Sequence, residues 1–167
     1  MNGRFQRALL RIRGNKRHSA VLRAISYIAA ILSVCAFGYL CVTSFLYEPI
    51  RALEPILICG VPFVAVTVIR KIINAPRPYE IFPLFEGELP KSKKGESFPS
   101  RHAFSAFVIG TLTLLTDPFL GIPLLLCALA MSAARVLLGV HFVRDVVAGG
   151  AIGIASAVIG WAIFLVI

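Results

Sequence analysis

The stretch "AISYIAAILSVCAFGYLCVTSFLY", residues 24–47, contains no charged side chain and decides the fold class of this 167-residue chain. A helix needs about 20 mostly apolar residues to span a bilayer, and somewhat fewer when polar groups at its ends stay in the interface. Similar apolar runs recur along the chain, which is 58% hydrophobic. They predict an all-α, integral membrane helical bundle with about five transmembrane helices, near residues 24–47, 52–73, 101–116, 118–138 and 145–167.

The alternative is a soluble protein in which the shorter apolar runs are buried helices. The chain has too little polar sequence to cover so much apolar surface, so we favour the membrane protein. Its four cysteines all lie inside apolar runs, without a CxxC pair or metal-ligand spacing. Neither a disulfide nor a metal site is therefore expected.

The net charge of +9 is distributed unevenly. With five spans, the N-terminus, the 74–100 loop and the 139–144 turn share one face, and of the 17 Lys and Arg all but Arg51 fall on it. The positive-inside rule predicts that this face is cytoplasmic. Such a surface suits anionic lipid headgroups, so we expect the bilayer as a partner and no nucleic acid. The sequence does not indicate an oligomeric state.

The length of the chain fits one domain, residues 1–167. Residues 1–23 interleave seven Arg and Lys with apolar side chains, which is typical of an amphipathic segment lying on the membrane surface. A disordered basic tail that only sets the topology is an equal alternative. The one long loop, residues 74–100, is rich in Pro, Gly, Lys and Glu and joins two predicted helical hairpins.

Three polar segments fall at the same membrane boundary, because antiparallel spans alternate in direction. They are "RKIINAPRP" at residues 70–78, "PSRH" at 99–102 and "ARVLLGVHFVRD" at 134–145. We single out among their side chains four arginines, two histidines, a serine and an aspartate, namely Arg70, Arg77, Arg101, Arg135, His102, His141, Ser100 and Asp145.

This set of side chains suits a phosphate ligand. Guanidinium groups match phosphate oxygens bidentately, and a helix that starts after Ser100 offers free backbone N–H groups. Of two histidines, one can attack phosphorus while the other protonates the leaving oxygen. Asp145, four residues after His141, is close enough in sequence to orient it. Singly, the arginines are explained equally well as headgroup anchors, and His102 as a helix cap.

The three segments resemble the signature of the type 2 phosphatidic acid phosphatase superfamily, which contains membrane lipid phosphatases and soluble vanadium haloperoxidases. Its pattern is Lys-x6-Arg-Pro, then Pro-Ser-Gly-His, then Ser-Arg-x5-His-x3-Asp. The chain departs from this pattern at Arg70 in place of lysine, Arg101 in place of glycine and Ala134 in place of serine. Its membrane members usually have six spans and a site facing outward, whereas five spans and a cytoplasmic site are expected here.

The resemblance implies a role for each matching position. His141 would be the nucleophile that forms a phosphohistidine, Asp145 would orient it, and His102 would be the general acid. The phosphoryl oxygens would be bound by Arg70, Arg77, Arg135 and the Ser100 segment. The departing Arg101 adds a fourth cation, which either turns outward to a second phosphate or a headgroup or narrows the pocket; we predict it among the phosphate-binding residues. No cofactor and no metal are implied, since arginines supply the charge.

The function predicted from the sequence is a metal-independent phosphatase of a lipid phosphate or diphosphate. Phosphatidic acid, phosphatidylglycerophosphate and prenyl (di)phosphates all fit an apolar tail that carries phosphate. One alternative is a lipid phosphotransferase that uses the same site. Another is a non-catalytic protein that binds anionic lipid through its basic face, although binding alone does not require an acid and a nucleophile.

Overall fold

The computed structural model describes residues 15–47, 49–81 and 94–166, and all its regular elements in these ranges are helical. Apolar sequence forms helices in a membrane because only a helix satisfies its backbone hydrogen bonds within one segment. In chain order the elements are α1 (Lys16–Tyr47), a 3-10 turn (Pro49–Arg51), α2 (Glu54–Ile73), α3 (Pro78–Ile81), α4 (Arg101–Thr116), α5 (Pro118–Leu137) and α6 (Val143–Val166).

Four segments within the described ranges are long and apolar enough to cross a membrane: Lys16–Tyr47, Pro49–Ile81, Pro118–Leu137 and Val143–Val166. Their outward surfaces carry large exposed apolar side chains such as Ile31, Val61, Leu126 and Ile159. Exposed apolar surface on this scale is expected only where lipid replaces water as the solvent. The predicted all-helical membrane bundle is therefore confirmed, and the chain is a multi-pass membrane protein.

The fifth predicted span, α4, occupies a different place from the other four. Its 16 residues extend over about 24 Å, less than the thickness of a typical hydrocarbon core. Most of its residues are buried, from Ala103 through Thr113 on nearly every side. α4 packs most extensively against α6 and then against α5, so the outer helices shield it from lipid.

Close packing between α4 and α6 depends on glycine. A Cβ atom on Gly149 would lie 2.4 Å from the backbone oxygen of Ser100, and one on Gly153 would lie 2.6 Å from that of Phe104. Both distances are far inside van der Waals contact, so only glycine lets the two backbones approach this closely. The contact brings the first turn of α6 against the first turn of α4.

The N-terminal residues 1–14 and loop residues 82–93 lie outside the described ranges. Lys16–Arg23, which the sequence assigned to a separate interfacial segment, form the first turns of α1 and continue directly into the span. The predicted turn at Asp117 is present, and its side chain accepts hydrogen bonds from the N–H groups of Phe119 and Leu120. Pro118 follows at the first helical position, where a missing N–H costs nothing.

Candidate active site

The polar segments singled out in the sequence meet at one end of the bundle, where α2 ends, α4 begins, α5 ends and α6 begins. Arg70 lies in the last turn of α2, and Arg135 lies in the last turn of α5. Arg101 and His102 open α4, and Asp145 lies in the first turn of α6. His141 occupies the short connection between α5 and α6.

His141, Asp145 and Ser97 form a buried cluster at the centre of this end. Asp145 and Ser97 are fully buried, and His141 is 2% exposed. The Ser97 hydroxyl donates to Asp145 Oδ2 at 2.5 Å and lies 3.4 Å from His141 Nδ1. His141 Nδ1 is 3.7 Å from Asp145 Oδ2, longer than a hydrogen bond but within ion-pair range. With Nδ1 facing the carboxylate, Nε2 is the ring nitrogen left to face a substrate.

Further bonds fix the position of the Asp145 carboxylate. Its Oδ2 accepts a second hydrogen bond, from the backbone N–H of Phe142 at 2.9 Å, and Oδ1 lies 3.6 Å from Arg144 Nε. The backbone oxygen of Asp145 accepts from the N–H of Ser100 at 2.9 Å. Ser100 in turn caps α4, since its hydroxyl accepts from the N–H of Ala103. One chain of bonds thus joins the start of α6 to the start of α4.

His141 lies outside the spanning helices, and its surroundings favour the neutral imidazole. Burial lowers the pKa of His141 below its ordinary value, and the charges of Arg135 and Arg77 lower it further. The interaction with Asp145 opposes this shift without reversing it. A neutral imidazole carries a lone pair, which an attack on phosphorus requires.

His102 differs from His141 in its exposure. It lies at the surface of α4 and lines a cleft of about 400 Å³ together with apolar side chains of four helices, including Phe37, Phe63 and Met131. His141 and Arg135 act on His102 electrostatically, so these three side chains lie near one another. The structure therefore brings both predicted histidines into one site.

The two arginines around the long loop are held by backbone carbonyls. Arg70 is buried and donates through Nη1 to Pro99 O and through Nη2 to Glu96 O. Arg77 donates through Nε to Gly95 O at 2.9 Å. Arg70 Nε is buried without a hydrogen-bond partner among the described residues, so it is the donor left for a ligand. Phosphate binding by Arg70 stays a prediction, whereas its hydrogen bonds to the loop carbonyls are present in the structure.

Arg135 and Arg101 are less constrained. The Nε of Arg135 is buried and has no hydrogen-bond partner among the residues described, and Arg77 acts on it electrostatically. An unpaired buried guanidinium N–H is costly unless a ligand satisfies it. Arg101 is half-buried, with its guanidinium carbon 6.0 Å from the ring centroid of Phe63.

Two residues that shape this site were not singled out in the sequence. Ser97 precedes the recognised motif and contacts Asp145 across 48 residues of sequence. Glu80 accepts from the backbone N–H of Arg77 at 3.1 Å and of Gly95 at 2.8 Å, which ties the two ends of the long loop together. In the sequence, the nearest signal for this part of the loop was Gly95, because glycine often marks a backbone conformation that other residues avoid. In the structure its φ is +68°, and a Cβ there would lie 2.1 Å from Asn74 Oδ1.

The described residues contain no group of three or more His, Cys, Asp and Glu side chains placed to hold a metal ion. The four arginines that the sequence singled out all act electrostatically on one or both of the two histidines. The arrangement combines a buried neutral imidazole next to a carboxylate, a second imidazole beside a cleft, and surrounding guanidinium groups. These are the parts needed to transfer a phosphoryl group to histidine.

Comparison with known proteins agrees with this geometry. The structure resembles LpxE from Aquifex aeolicus with a TM-score of 0.67 and 24% identity, covering 89% of this chain and 87% of that one. It also resembles the first transmembrane PAP2 type phosphatidylglycerolphosphate phosphatase from Bacillus subtilis, with a TM-score of 0.71 and 22% identity, covering 99% and 89%. At these identities the likeness shows the fold alone. A comparison with curated proteins gave no significant match.

The sequence itself matches the family model described as the PAP2 superfamily over residues 34–166. That range contains every site residue singled out in the sequence and every described helix except residues 16–33, which make up more than half of α1. The resemblance first noted in three short motifs thus extends over most of the chain, and the chain belongs to the PAP2 superfamily.

Proposed function

We propose that this protein is a metal-independent lipid phosphate phosphatase that acts through a phosphohistidine intermediate. The observation that carries the proposal is the buried cluster of His141, Asp145 and Ser97, placed at one end of a membrane bundle beside a second histidine. Membership of the PAP2 superfamily supports it. So do the two structural relatives, one of which is a phosphatidylglycerolphosphate phosphatase.

In the first step His141 Nε2 attacks the phosphorus of the substrate. An N–P bond forms, the bond from phosphorus to the leaving oxygen breaks, and its electron pair goes to that oxygen. His102 donates the proton that the leaving oxygen requires. Asp145 stabilises the positive charge that develops on the imidazole, and Ser97 and Phe142 N–H hold the carboxylate in place.

In the second step water attacks the phosphohistidine. His102, now deprotonated, accepts a proton from the water, the N–P bond breaks, and inorganic phosphate leaves. Phosphoryl transfer depends mainly on positioning and on neutralising charge. Arg135, Arg77 and the N-terminus of α4 supply that neutralisation, together with the free Nε of Arg70.

The substrate class follows from the apolar cleft. It opens between the outer helices within the membrane zone, and His102 lies in its wall. A lipid whose tail occupies the cleft therefore presents its phosphate to His102 and, beyond it, to His141. Phosphatidic acid, phosphatidylglycerophosphate and prenyl (di)phosphates all have this form.

We further propose that residues 1–167 act as a single phosphatase domain whose site faces the cytoplasm. The start of α1 carries Lys16, Arg17 and Arg23 at the same end of the bundle as the site. Because these residues lie outside the site, their charge supports the orientation independently of the catalytic arginines. Phosphate release measured on opposite sides of oriented membrane vesicles tests this assignment.

The decisive experiment measures inorganic phosphate release by the full chain in detergent, with EDTA present, from phosphatidic acid, phosphatidylglycerophosphate and a prenyl phosphate and diphosphate. We expect release from at least one lipid, complete loss in His141→Ala, and a decrease of about 10²- to 10⁴-fold in His102→Ala. His18→Ala removes an exposed histidine of α1 and is the matched control.

Three results would contradict the proposal. Wild-type protein that releases phosphate from none of the lipids would indicate a binding protein or a phosphotransferase without its acceptor. Activity that EDTA removes and Mg²⁺ restores would rule out a metal-independent mechanism. Activity that persists in His141→Ala would exclude His141 as the nucleophile. Lipid binding should survive in His141→Ala, which separates loss of chemistry from loss of fold.

A further inference from the structure

Arg101 is placed differently from the other arginines of the site. Arg70 and Arg77 donate to backbone carbonyls of the loop, and the Nε of Arg135 is buried without a hydrogen-bond partner among the described residues. Arg101 has no hydrogen bond or ion pair with any residue that the structure describes. Its guanidinium carbon lies over the Phe63 ring, 6.0 Å from the ring centroid, in a cation–π arrangement.

The side chain of Arg101 also lines the apolar cleft, next to His102. The remaining lining residues that the structure describes include no other Arg, Lys, Asp or Glu side chain, so this guanidinium is the one formal charge among them. An arginine kept half-buried against an apolar wall gives up some hydration, and Arg101 gains no hydrogen-bond acceptor among the described residues in return. A ligand anion at the mouth of the cleft would supply that partner.

The order of groups along the cleft indicates which part of a substrate Arg101 meets. Under the proposed function, the phosphoryl group that is transferred lies at His141, and the leaving oxygen lies at His102. The rest of the leaving group then runs from His102 into the cleft, past Arg101. In a lipid with one phosphate this portion is an uncharged alcohol, whereas in a lipid with two it carries the second phosphate.

We propose that Arg101 binds the second phosphate of a lipid that carries two, so that the preferred substrate class is a lipid diphosphate or a lipid with a phosphodiester behind its terminal phosphate. The inference rests on the proposed function and adds the specificity of its site. It assigns a role to the one position where a glycine of the family motif is replaced by a cation.

With a lipid diphosphate, the reaction retains the lipid-bound phosphate. His141 Nε2 bonds to the terminal phosphorus, the bond from that phosphorus to the bridging oxygen breaks, and its electron pair stays on the bridging oxygen. His102 donates its proton to this oxygen, and the products are phosphohistidine and a lipid monophosphate whose retained phosphate lies beside Arg101. Because Arg101 faces the retained phosphate throughout the reaction, it binds and positions the substrate for attack.

The test compares substrates in matched pairs that share a tail. One pair is a prenyl diphosphate and the corresponding prenyl monophosphate, and the other is phosphatidylglycerophosphate and phosphatidic acid with the same acyl chains. kcat and KM are measured in mixed micelles for wild type, Arg101→Gln and Arg101→Lys. Lys71→Gln is the matched control. It removes an exposed cation in the last turn of α2, at the same end of the bundle as Arg101 but outside the site.

We expect wild type to favour the two-phosphate member of at least one pair. Arg101→Gln should lower kcat/KM for that member by about 10- to 100-fold, the effect of losing a charged hydrogen-bond partner, and change the one-phosphate member little. Arg101→Lys should restore part of the loss, because it keeps the charge without the planar fork. The pair that responds identifies whether the second anion is a diphosphate or a phosphodiester.

Equal losses on both members of each pair would overturn the inference, since Arg101 would then act on the scissile phosphate or on the fold. A wild-type preference for the one-phosphate members would also overturn it. In both cases phosphate release and its dependence on His141 would leave the proposed function standing. Absence of release from all four lipids would instead refute the proposed function, and this inference with it.

Discussion

Replacing Ser97 by alanine tests the buried cluster most directly. The Ser97 hydroxyl donates to Asp145 Oδ2 at 2.5 Å, and no other side-chain atom differs between serine and alanine. The backbone N–H of Ser97 keeps its bond to Ala75 O at 2.8 Å, so we expect the loop to stay in place. The perturbation therefore acts on the carboxylate that faces His141.

The structure sets the size of the expected effect. A hydrogen bond to a charged group contributes about 1.5–3 kcal/mol. We expect the lower end, because Asp145 Oδ2 also accepts from Phe142 N–H at 2.9 Å and is not left unpaired. Since about 1.4 kcal/mol corresponds to a tenfold change, kcat/KM should fall about 10-fold. The loss should appear in kcat, because Ser97 lies behind His141 and does not face the substrate.

The pH dependence of Ser97→Ala gives a second readout. Burial lowers the pKa of His141, and the interaction with Asp145 raises it. Without the Ser97 donor, the carboxylate interacts more strongly with His141, so the pKa of His141 rises toward its ordinary value. Attack requires the neutral imidazole, so kcat/KM should fall as the pH drops through the pKa of His141. This acidic limb should lie below a pH of about 6.5 in wild type, and it should shift to higher pH in the variant.

The assay is steady-state phosphate release across pH, with Ser132→Ala as the matched control. Ser132 is also buried, but its hydroxyl has no hydrogen-bond partner among the described residues. That variant should keep kcat, KM and the acidic limb of wild type. An increase in KM at constant kcat for Ser97→Ala, or an acidic limb that stays in place or moves downward, would refute the reasoning.

Three further substitutions probe other parts of the site. Asp145→Asn keeps the shape of the side chain but removes its charge, so kcat for phosphate release should fall by at least 10²-fold. Lipid binding, measured by co-purification, should persist. Gly149→Ala places a Cβ 2.4 Å from Ser100 O and should cost about 1–3 kcal/mol of stability in thermal unfolding. Gly60→Ala, with open space around its Cα, should be tolerated, and equal melting temperatures for the two would contradict the packing argument. Arg70→Lys restores the family residue but cannot donate to both loop carbonyls at once, so KM should rise. An unchanged KM would show that the loop does not need these two hydrogen bonds.

Much of the site was predictable because its residues are tied to local patterns. The length of an apolar run indicates a spanning helix. Because consecutive spans alternate in direction, the ends of α2 and α5 lie at the same membrane boundary as the starts of α4 and α6. Arg135, His141 and Asp145 could therefore be assigned to one face from the order of the spans alone. The spacing of His141 and Asp145 is short enough that their proximity follows from the chain itself.

The contacts made over long distances in the sequence were not predictable in this way. Ser97 and Asp145 are 48 residues apart, and Arg70 and Ser97 are 27 apart, with a loop between whose path no periodicity defines. The same holds for the burial of α4, since its apolar composition resembles that of helices facing lipid. The close approach of α6 at Gly149 and Gly153, and of α5 at Gly121, lets α4 lie at the centre of the bundle.

The sequence by itself determined the membrane-embedded helical class, the basic face and the chemical types gathered at it, because hydropathy and motif spacing act within single segments. The tertiary structure alone decided which donors are available. Arg70 is bound to loop carbonyls, whereas Arg101 faces an apolar cleft without a partner among the described residues. Two arginines that look alike in the sequence thus differ in the donors that they can offer a ligand, because a guanidinium binds a ligand only with the donors that the fold leaves unpaired.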